Sequence, residues 1–371
     1  MSWQLRASDL GDLARGATLL GTGGGGDPYI GKMLVERVLG DGYITILDPE
    51  ELDDDMFVIP TAQMGAPTVM VEKIPAGTEA LLALRTLEEH LGRTADATMP
   101  IECGGINSMI PLAVAVEAGL PVIDADGMGR AFPELSMETF AVYGVHGSPL
   151  ALAGERGEKV IIDTGDDDRQ MEWLARGITI RLGGVGHIAE YAMTGADVKR
   201  TAVPRTLSMA LALGRAIRLA REEHGSPFDA IAGTLSNTLY CHVRELFAGK
   251  VSDVERRTTD GFAKGRAVIS PLGADDGEEL EIVFQNENLV ARRDGIVLAI
   301  VPDLICVLDA ESGEPITTEG LRYGQRVRVL GISTPEMMRT PEALAAFGPA
   351  AFGLKEEFVP VEQPRLARRP R

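Results

Sequence analysis

The chain has 371 residues, is 45% hydrophobic, and carries 36 basic against 55 acidic side chains for a net charge of −19. Its length allows two domains with a sizeable core, and the negative balance argues against a nucleic-acid partner, whose phosphates need a basic face. No apolar run approaches the roughly 20 residues that span a bilayer, residues 1–16 lack the regions of a signal peptide, and the three cysteines are too scattered for a disulfide framework or a CxxC metal site; a cytoplasmic protein without membrane contact is expected.

In chain order, residues 5–20 carry Leu10, Leu13, Ala14 and Ala17 at helical spacing. The run GTGGGG at 21–26 follows, then a helix over 29–39. Consecutive glycines cost entropy on folding. They suit either a flexible connection or a close approach of backbone amides to an anionic or carbonyl group, which makes Gly23, Gly24 and Gly25 candidate substrate contacts. No Gly-Lys-Ser/Thr follows, so this is not a P-loop. Strands are expected at 43–47 and 56–60, a small-residue loop at 61–67 that joins the same site, a strand or short helix at 68–73, and an amphipathic helix at 79–91.

Residues 98–135 form the centre of the pattern. A strand end at 100–103, a Gly104-Gly105 turn, a helix ended by Gly119, and an apolar strand at 120–124 make one βαβ unit. Ligands bind at the carboxyl ends of strands in open α/β sheets. Glu102, Asn107, Asp124, Asp126 and Arg130 all fall at that edge. Beyond it come strands near 148–153 and 159–163, a helix at 171–175, a strand at 178–182, and a second glycine turn at 183–187. His187 in that turn is a catalytic candidate because its side chain titrates near neutral pH. Residues 206–224 give the clearest helix, between Pro204 and Gly225, with arginines on its wet face. From 239 onward short β-like runs recur about every ten residues, the texture of a sandwich or barrel.

The fold class is therefore α/β: an N-terminal α/β domain with a parallel-type sheet over 1–165, then a mainly β domain over 166–360 that contains the 206–224 helix, and a tail at 361–371. Whether that helix packs on the first or the second domain is open at this level.

Five segments together resemble one family: GTGGGG at 21–26, ECGGINS at 102–108, DADGMGRAFPE at 124–134, TTDGFAKG at 258–265 and FQNENL at 284–289. They look like the DUF917 family, which includes the S-methyl thiohydantoin desulfurases, and the resemblance runs from about residue 10 to about residue 331. It implies an α/β domain followed by a β domain. It also implies hydrolytic removal of methanethiol from an S-methyl thiohydantoin, a small-molecule substrate. A ring-opening hydantoinase or oxoprolinase-associated subunit, or a non-catalytic partner of such an enzyme, are the alternatives, and either a homo-oligomer or a hydantoinase-type partner is compatible with them.

That chemistry needs an activated water, stabilisation of charge on the ring, and a thiolate that leaves. Glu102 or Asp126 serves as general base. Asn107 and the Gly104 and Gly105 amides orient the ring, and Arg130 clamps an anionic substituent through its fork. Asp124 stands beside them. Cys103 is a covalent rival, although a buried cysteine is usually inert. Asn286, with Glu287 and Asn288, lies in a β-like segment that closes over the site from the second domain, since pockets favour domain interfaces. The cofactor is unknown. A divalent metal such as zinc is compatible with Glu102, Asp124, Asp126, His146, His187 and His242, but their spacing selects no ligand set.

Overall fold

The computed structural model describes residues 1–65, 69, 75–259, 262–272 and 277–363. Most of the element expected at 68–73, and residues 364–371 of the tail, lie outside them.

The chain begins with β1 (Trp3–Leu5), α1 (Leu10–Leu20) and α2 (Pro28–Leu39). Asp27 starts α2 as N-cap, its side chain accepting from the Tyr29 N–H, with Pro28 in the first turn. Next come β2 (Ile44–Leu47), β3 (Phe57–Val58), β4 (Thr61–Gly65), α3 (Glu79–Leu91), α4 (Ile110–Ala118), β5 (Val122–Ile123) and β6 (Ala125–Asp126). Then follow α5 (Thr139–Val142), β7 (Leu150–Ala153), β8 (Lys159–Ile162), α6 (Asp168–Arg181), β9 (Val185–Ala189) and β10 (Met193–Thr194). This half closes with α7 (Gly195–Thr201), β11 (Val203–Pro204), α8 (Thr206–Glu222) and α9 (Pro227–Leu235).

The βαβ unit is present: Thr98 bridges Val122 in parallel across α4, and Gly119 ends the helix at φ 73°. Parallel pairing also joins β2 to β5, while a four-stranded sheet in the order β4-β9-β7-β8 is antiparallel throughout. That sheet draws strands from both sides of residue 165.

Two local expectations change. Residues 61–65 are not a loop but strand β4, paired to β9 on one edge and held on the other by the Asn107 side chain. Residues 168–181 form one helix, not a helix and a strand: Asp167 caps it, and Met171, Ala175 and Thr179 bury one stripe at four-residue spacing. That stripe outweighs the β preference of the Ile178 to Ile180 stretch.

Helix α8 packs on α1. A Cβ added at Gly16 would lie 1.7 Å from the Ala210 carbonyl oxygen, and one at Gly214 would lie 1.7 Å from that of Asp12. Only glycine permits this backbone contact. The arginines expected on a wet face reach across it: Arg218 donates to Asp12 at 3.0 Å and Arg215 to Asp9 at 3.1 Å.

The C-terminal part is mainly β. Strands β12 (Val243–Thr259), β13 (Phe262–Pro271), β14 (Leu280–Gln285), β15 (Glu287–Arg293), β16 (Ile296–Ile300), β17 (Leu304–Asp309) and β18 (Arg326–Ile332) form one antiparallel half-barrel, ordered β16-β15-β14-β13-β12-β18-β17. Register shifts in β12, β14 and β15 mark bulges that bend the sheet. A short helix, α10 (Pro341–Phe347), follows. One apolar core runs from α1 and α8 into Leu289, Val290, Leu304 and Leu330, so the two parts share a seam rather than a loose hinge.

Candidate active site

The seam is built around the glycine loop. Thr22 and Gly23 give their carbonyls to the N–H groups of Asn288 and Thr318, at 2.8 and 2.7 Å. Gly25 gives its carbonyl to Ile106 N–H at 2.8 Å. A Cβ at Gly24 would meet Glu287 Oε1 at 2.1 Å, and one at Gly105 would meet the Gly25 oxygen at 2.0 Å. The glycines therefore let β15 and the 104–105 turn close on the loop from both sides. This space requirement, together with positive φ at Gly23, Gly25, Gly26 and Gly105, explains the glycine runs.

Beside this contact lies a cavity of about 50 Å³, lined by Gly25, Gln63, Glu102, Asn107, Asn286 and Glu287, with Glu134 and Arg176 on its outer side. It has room for a few water-sized groups. Asn107 straps its floor. Its Oδ1 accepts from Gln63 N–H at 2.8 Å, and its Nδ2 donates to Gln63 O at 3.1 Å and to Glu102 Oε1 at 2.8 Å. Asn286 stands at φ 58°, and its side chain accepts from Ala263 N–H at 2.8 Å, which fixes the turn that presents Glu287.

Glu102 and Glu287 face this cavity from the two parts of the chain. Both are buried, at 5% and 2% exposure. Glu287 Oε1 takes the Gly25 N–H at 3.3 Å. The second oxygen of each carboxyl has no partner, nor does either atom of the Gln63 amide. Buried polar atoms are rarely left unpaired, so four of them on residues lining one small cavity mark a place where a ligand supplies the missing bonds. Burial pushes Glu287 up to about 8, with the Arg130 guanidinium pulling the other way. Burial raises Glu102 well above the usual carboxylate range, and the charge of Glu287 adds to this.

The other expected residues fall elsewhere. Asp126 is buried behind the cavity wall, accepting from Cys103 N–H and from Gly129 N–H at 3.0 Å; burial holds it at about 7. Asp124 accepts from Ser208 N–H at 3.0 Å and from the Trp3 indole at 3.4 Å, so it tethers the first turn of α8. Arg130 is fully buried and is not a clamp at the cavity. It donates to the carbonyls of Ala131, Asn288, Pro302 and Asp303 at 3.0 to 3.2 Å, tying the β6 loop to the half-barrel. Gly23, Gly24, Gly104 and Gly105 pack the seam, and of the expected glycine contacts Gly25 lines the cavity. Burial raises the Cys103 thiol well above its ordinary value, with Asp126 and Asp124 adding to it. A neutral, enclosed thiol is a poor nucleophile.

His187 sits within β9, opposite Gln63 in register and outside the cavity lining. His146 pairs with Asp168 at 3.1 Å near the surface. Among the described residues, no group of three or more His, Cys, Asp or Glu side chains is arranged to hold a metal ion. No helix of the described residues is long and apolar enough to cross a membrane.

Sequence reasoning placed Glu102, Asn107, Gly25 and Asn286 here. It treated Glu287 only as part of a closing segment, and it missed Gln63 and Arg176 as individual residues. For Glu287 the signal was its place beside Asn286 in the 284–289 motif. For Gln63 the signal was its place in the 61–67 segment expected to join the site; for Arg176 there was none, since it is one polar residue in an ordinary helix.

Comparison with known proteins agrees with this architecture. A crystal structure of a protein from Chromobacterium violaceum superposes with a TM-score of 0.81 at 25% identity, covering 97% of this chain and 100% of that one. No match was found among curated proteins. Family models for the S-Me-THD-like N-terminal domain and the S-Me-THD-like C-terminal domain match residues 8–164 and 166–361. With both domains matched along nearly its whole length, the chain belongs to the S-Me-THD-like family.

Proposed function

We propose that this protein is a hydrolase of hydantoin-like five-membered rings, and that its specific reaction is loss of methanethiol from an S-methyl thiohydantoin. The single observation that carries this is the carboxyl pair at the seam: Glu102 and Glu287, from the two parts of the chain, each with one unpartnered oxygen on a shared small cavity. Family membership supports the ring class.

Two buried carboxyls with different charged neighbours, facing one cavity, suit acid and base roles. Glu287, whose charged form the Arg130 guanidinium favours, is the base; Glu102, whose ionisation the charge of Glu287 opposes, is the acid. The base takes a proton from water as its oxygen bonds to the ring carbon bearing the methylthio group. The acid protonates the adjoining ring nitrogen. The tetrahedral adduct then breaks its carbon–sulfur bond: its hydroxyl gives its proton back to Glu102, methanethiolate takes the proton held by Glu287 and leaves as methanethiol, and a ring carbonyl remains. The Gln63 amide offers one donor and one acceptor, the complement of a ring N–H beside a carbonyl. The pair titrates as a unit, so its pH–rate profile reports both residues together.

The test is methanethiol release from S-methyl thiohydantoins by the parent, Glu102→Gln and Glu287→Gln. Each variant is expected to fold and to lose roughly 10²- to 10⁴-fold in turnover. Parental turnover in both removes the pair from the mechanism. A ring-opened carbamoyl product by mass spectrometry assigns ring hydrolysis in place of sulfur loss.

A further inference from the structure

The cavity opens outward past Glu134 and Arg176, and both residues also line a larger groove of about 710 Å³ on the outer face of α6. Trp173, Ile178, Ile180 and Phe262 line that groove. Trp173 and Ile180 are 69% and 54% exposed. Large exposed apolar side chains clustered beside a cavity mark a binding surface more often than scattered ones do. The chain has two tryptophans, and the other, Trp3, is held against Asp124.

We infer that this groove is the subsite for the substituent on the substrate ring, and that the substituent is apolar or aromatic; the inference rests on the ring-hydrolase reading above. The argument is one of volume and charge. The cavity admits the reacting part of a small ring, so a substituent must leave it, and the shared residues lead into the groove. Among the described residues, the cation shared by cavity and groove, Arg176, is already engaged. Arg176 already donates to Glu172 at 2.6 Å and to the Pro133 carbonyl at 2.9 Å, and its guanidinium lies 4.7 Å over the Phe262 ring. Glu134 and Glu172 line the same passage and repel a carboxylate. Arg169 lines the groove too, but it is exposed to water, where a single ion pair contributes little. The Trp173 face and the two isoleucines reward an apolar group instead.

Three probes decide the matter by calorimetry, with tryptophan emission as a second readout: hydantoin, 5-benzylhydantoin and hydantoin-5-propionate. The benzyl compound is expected to bind roughly tenfold tighter than hydantoin, as burial of an aromatic group on a partly open surface gives, and to shift the emission of Trp173. The propionate is expected to gain nothing. Trp173→Ala is expected to abolish the benzyl gain and leave hydantoin binding unchanged. Hydantoin binding without a benzyl gain, or a preference for the propionate, overturns the groove assignment and leaves the ring reading standing. Failure of all three to bind overturns both. A concentration-dependent dimer that Trp173→Ala dissociates assigns the groove to a second copy of the chain and also overturns the inference.

Discussion

Replacing Arg130 by methionine separates a structural tie from a substrate clamp. The side chain is fully buried and its guanidinium satisfies four backbone carbonyls, three of them in the half-barrel: those of Asn288, Pro302 and Asp303. Methionine fills most of the same stem volume but donates nothing. Each buried carbonyl left unpaired costs about 1 kcal/mol at the low end of the usual range, so four give about 4 kcal/mol. Removing a buried cation relieves some desolvation, since burial holds Arg130 down at about 10. Glu287, however, loses the guanidinium that counters its own burial. Losses near 4 kcal/mol match the cost of breaking other buried charge contacts. For a chain of this size that lowers Tm by roughly 5 °C. The assay is a thermal melt together with turnover at low temperature, corrected for the folded fraction. A Tm within about 2 °C of the parent combined with a 100-fold loss of kcat/KM refutes the reasoning and returns Arg130 to the substrate.

Three further outcomes follow from the geometry. Asp124→Ala removes the acceptor at the head of α8 and is expected to cost about 1 kcal/mol in urea unfolding with turnover unchanged; a loss of turnover at full stability places Asp124 in the chemistry. Gly214→Ala forces a Cβ into the Asp12 carbonyl and is expected to destabilise by about 3 kcal/mol, while Gly11→Ala, with open space around it, stabilises slightly; equal melting points for the two show that α1 and α8 can part without cost. Glu287 and Asp126 bind protons more tightly folded, at about 8 and about 7, than their ordinary values of 4.5 and 3.8. Their contribution is intact below about pH 4 and is lost as pH rises through 7 to 8, so unfolding at pH 5 and 8.5 is expected to show a decline that Glu287→Gln flattens; parallel curves for parent and variant contradict the assignment.

Much of the site was legible because the βαβ unit carries its own punctuation. Gly104 and Gly105, the apolar helix and the Gly119 stop place Glu102 and Asn107 at a strand end by local rules alone. Side-chain direction was not legible. Asp124, Asp126 and Arg130 lie in and around the two-residue strand β6, too short for periodicity to fix which way each side chain faces. Three residues of equal promise by type therefore became a helix tether, a wall and a strut.

What the amino-acid order by itself determined is the set of elements and the family: the glycine loop, the βαβ unit, the long helix at 206–222 and the recurring strands from 243 onward. These follow from periodicity, caps and turn residues, which act over a few positions. What only the tertiary structure decided is the pairing of Glu102 with Glu287 and the return of α8 onto α1. Those contacts join residues far apart in the chain, and they depend on glycines whose missing side chains leave no periodic trace. Glu287 gains its raised proton affinity only when β15 packs into the seam and water is excluded, against the opposing pull of the Gly25 amide, because desolvation is a property of the packed seam and not of any residue within it.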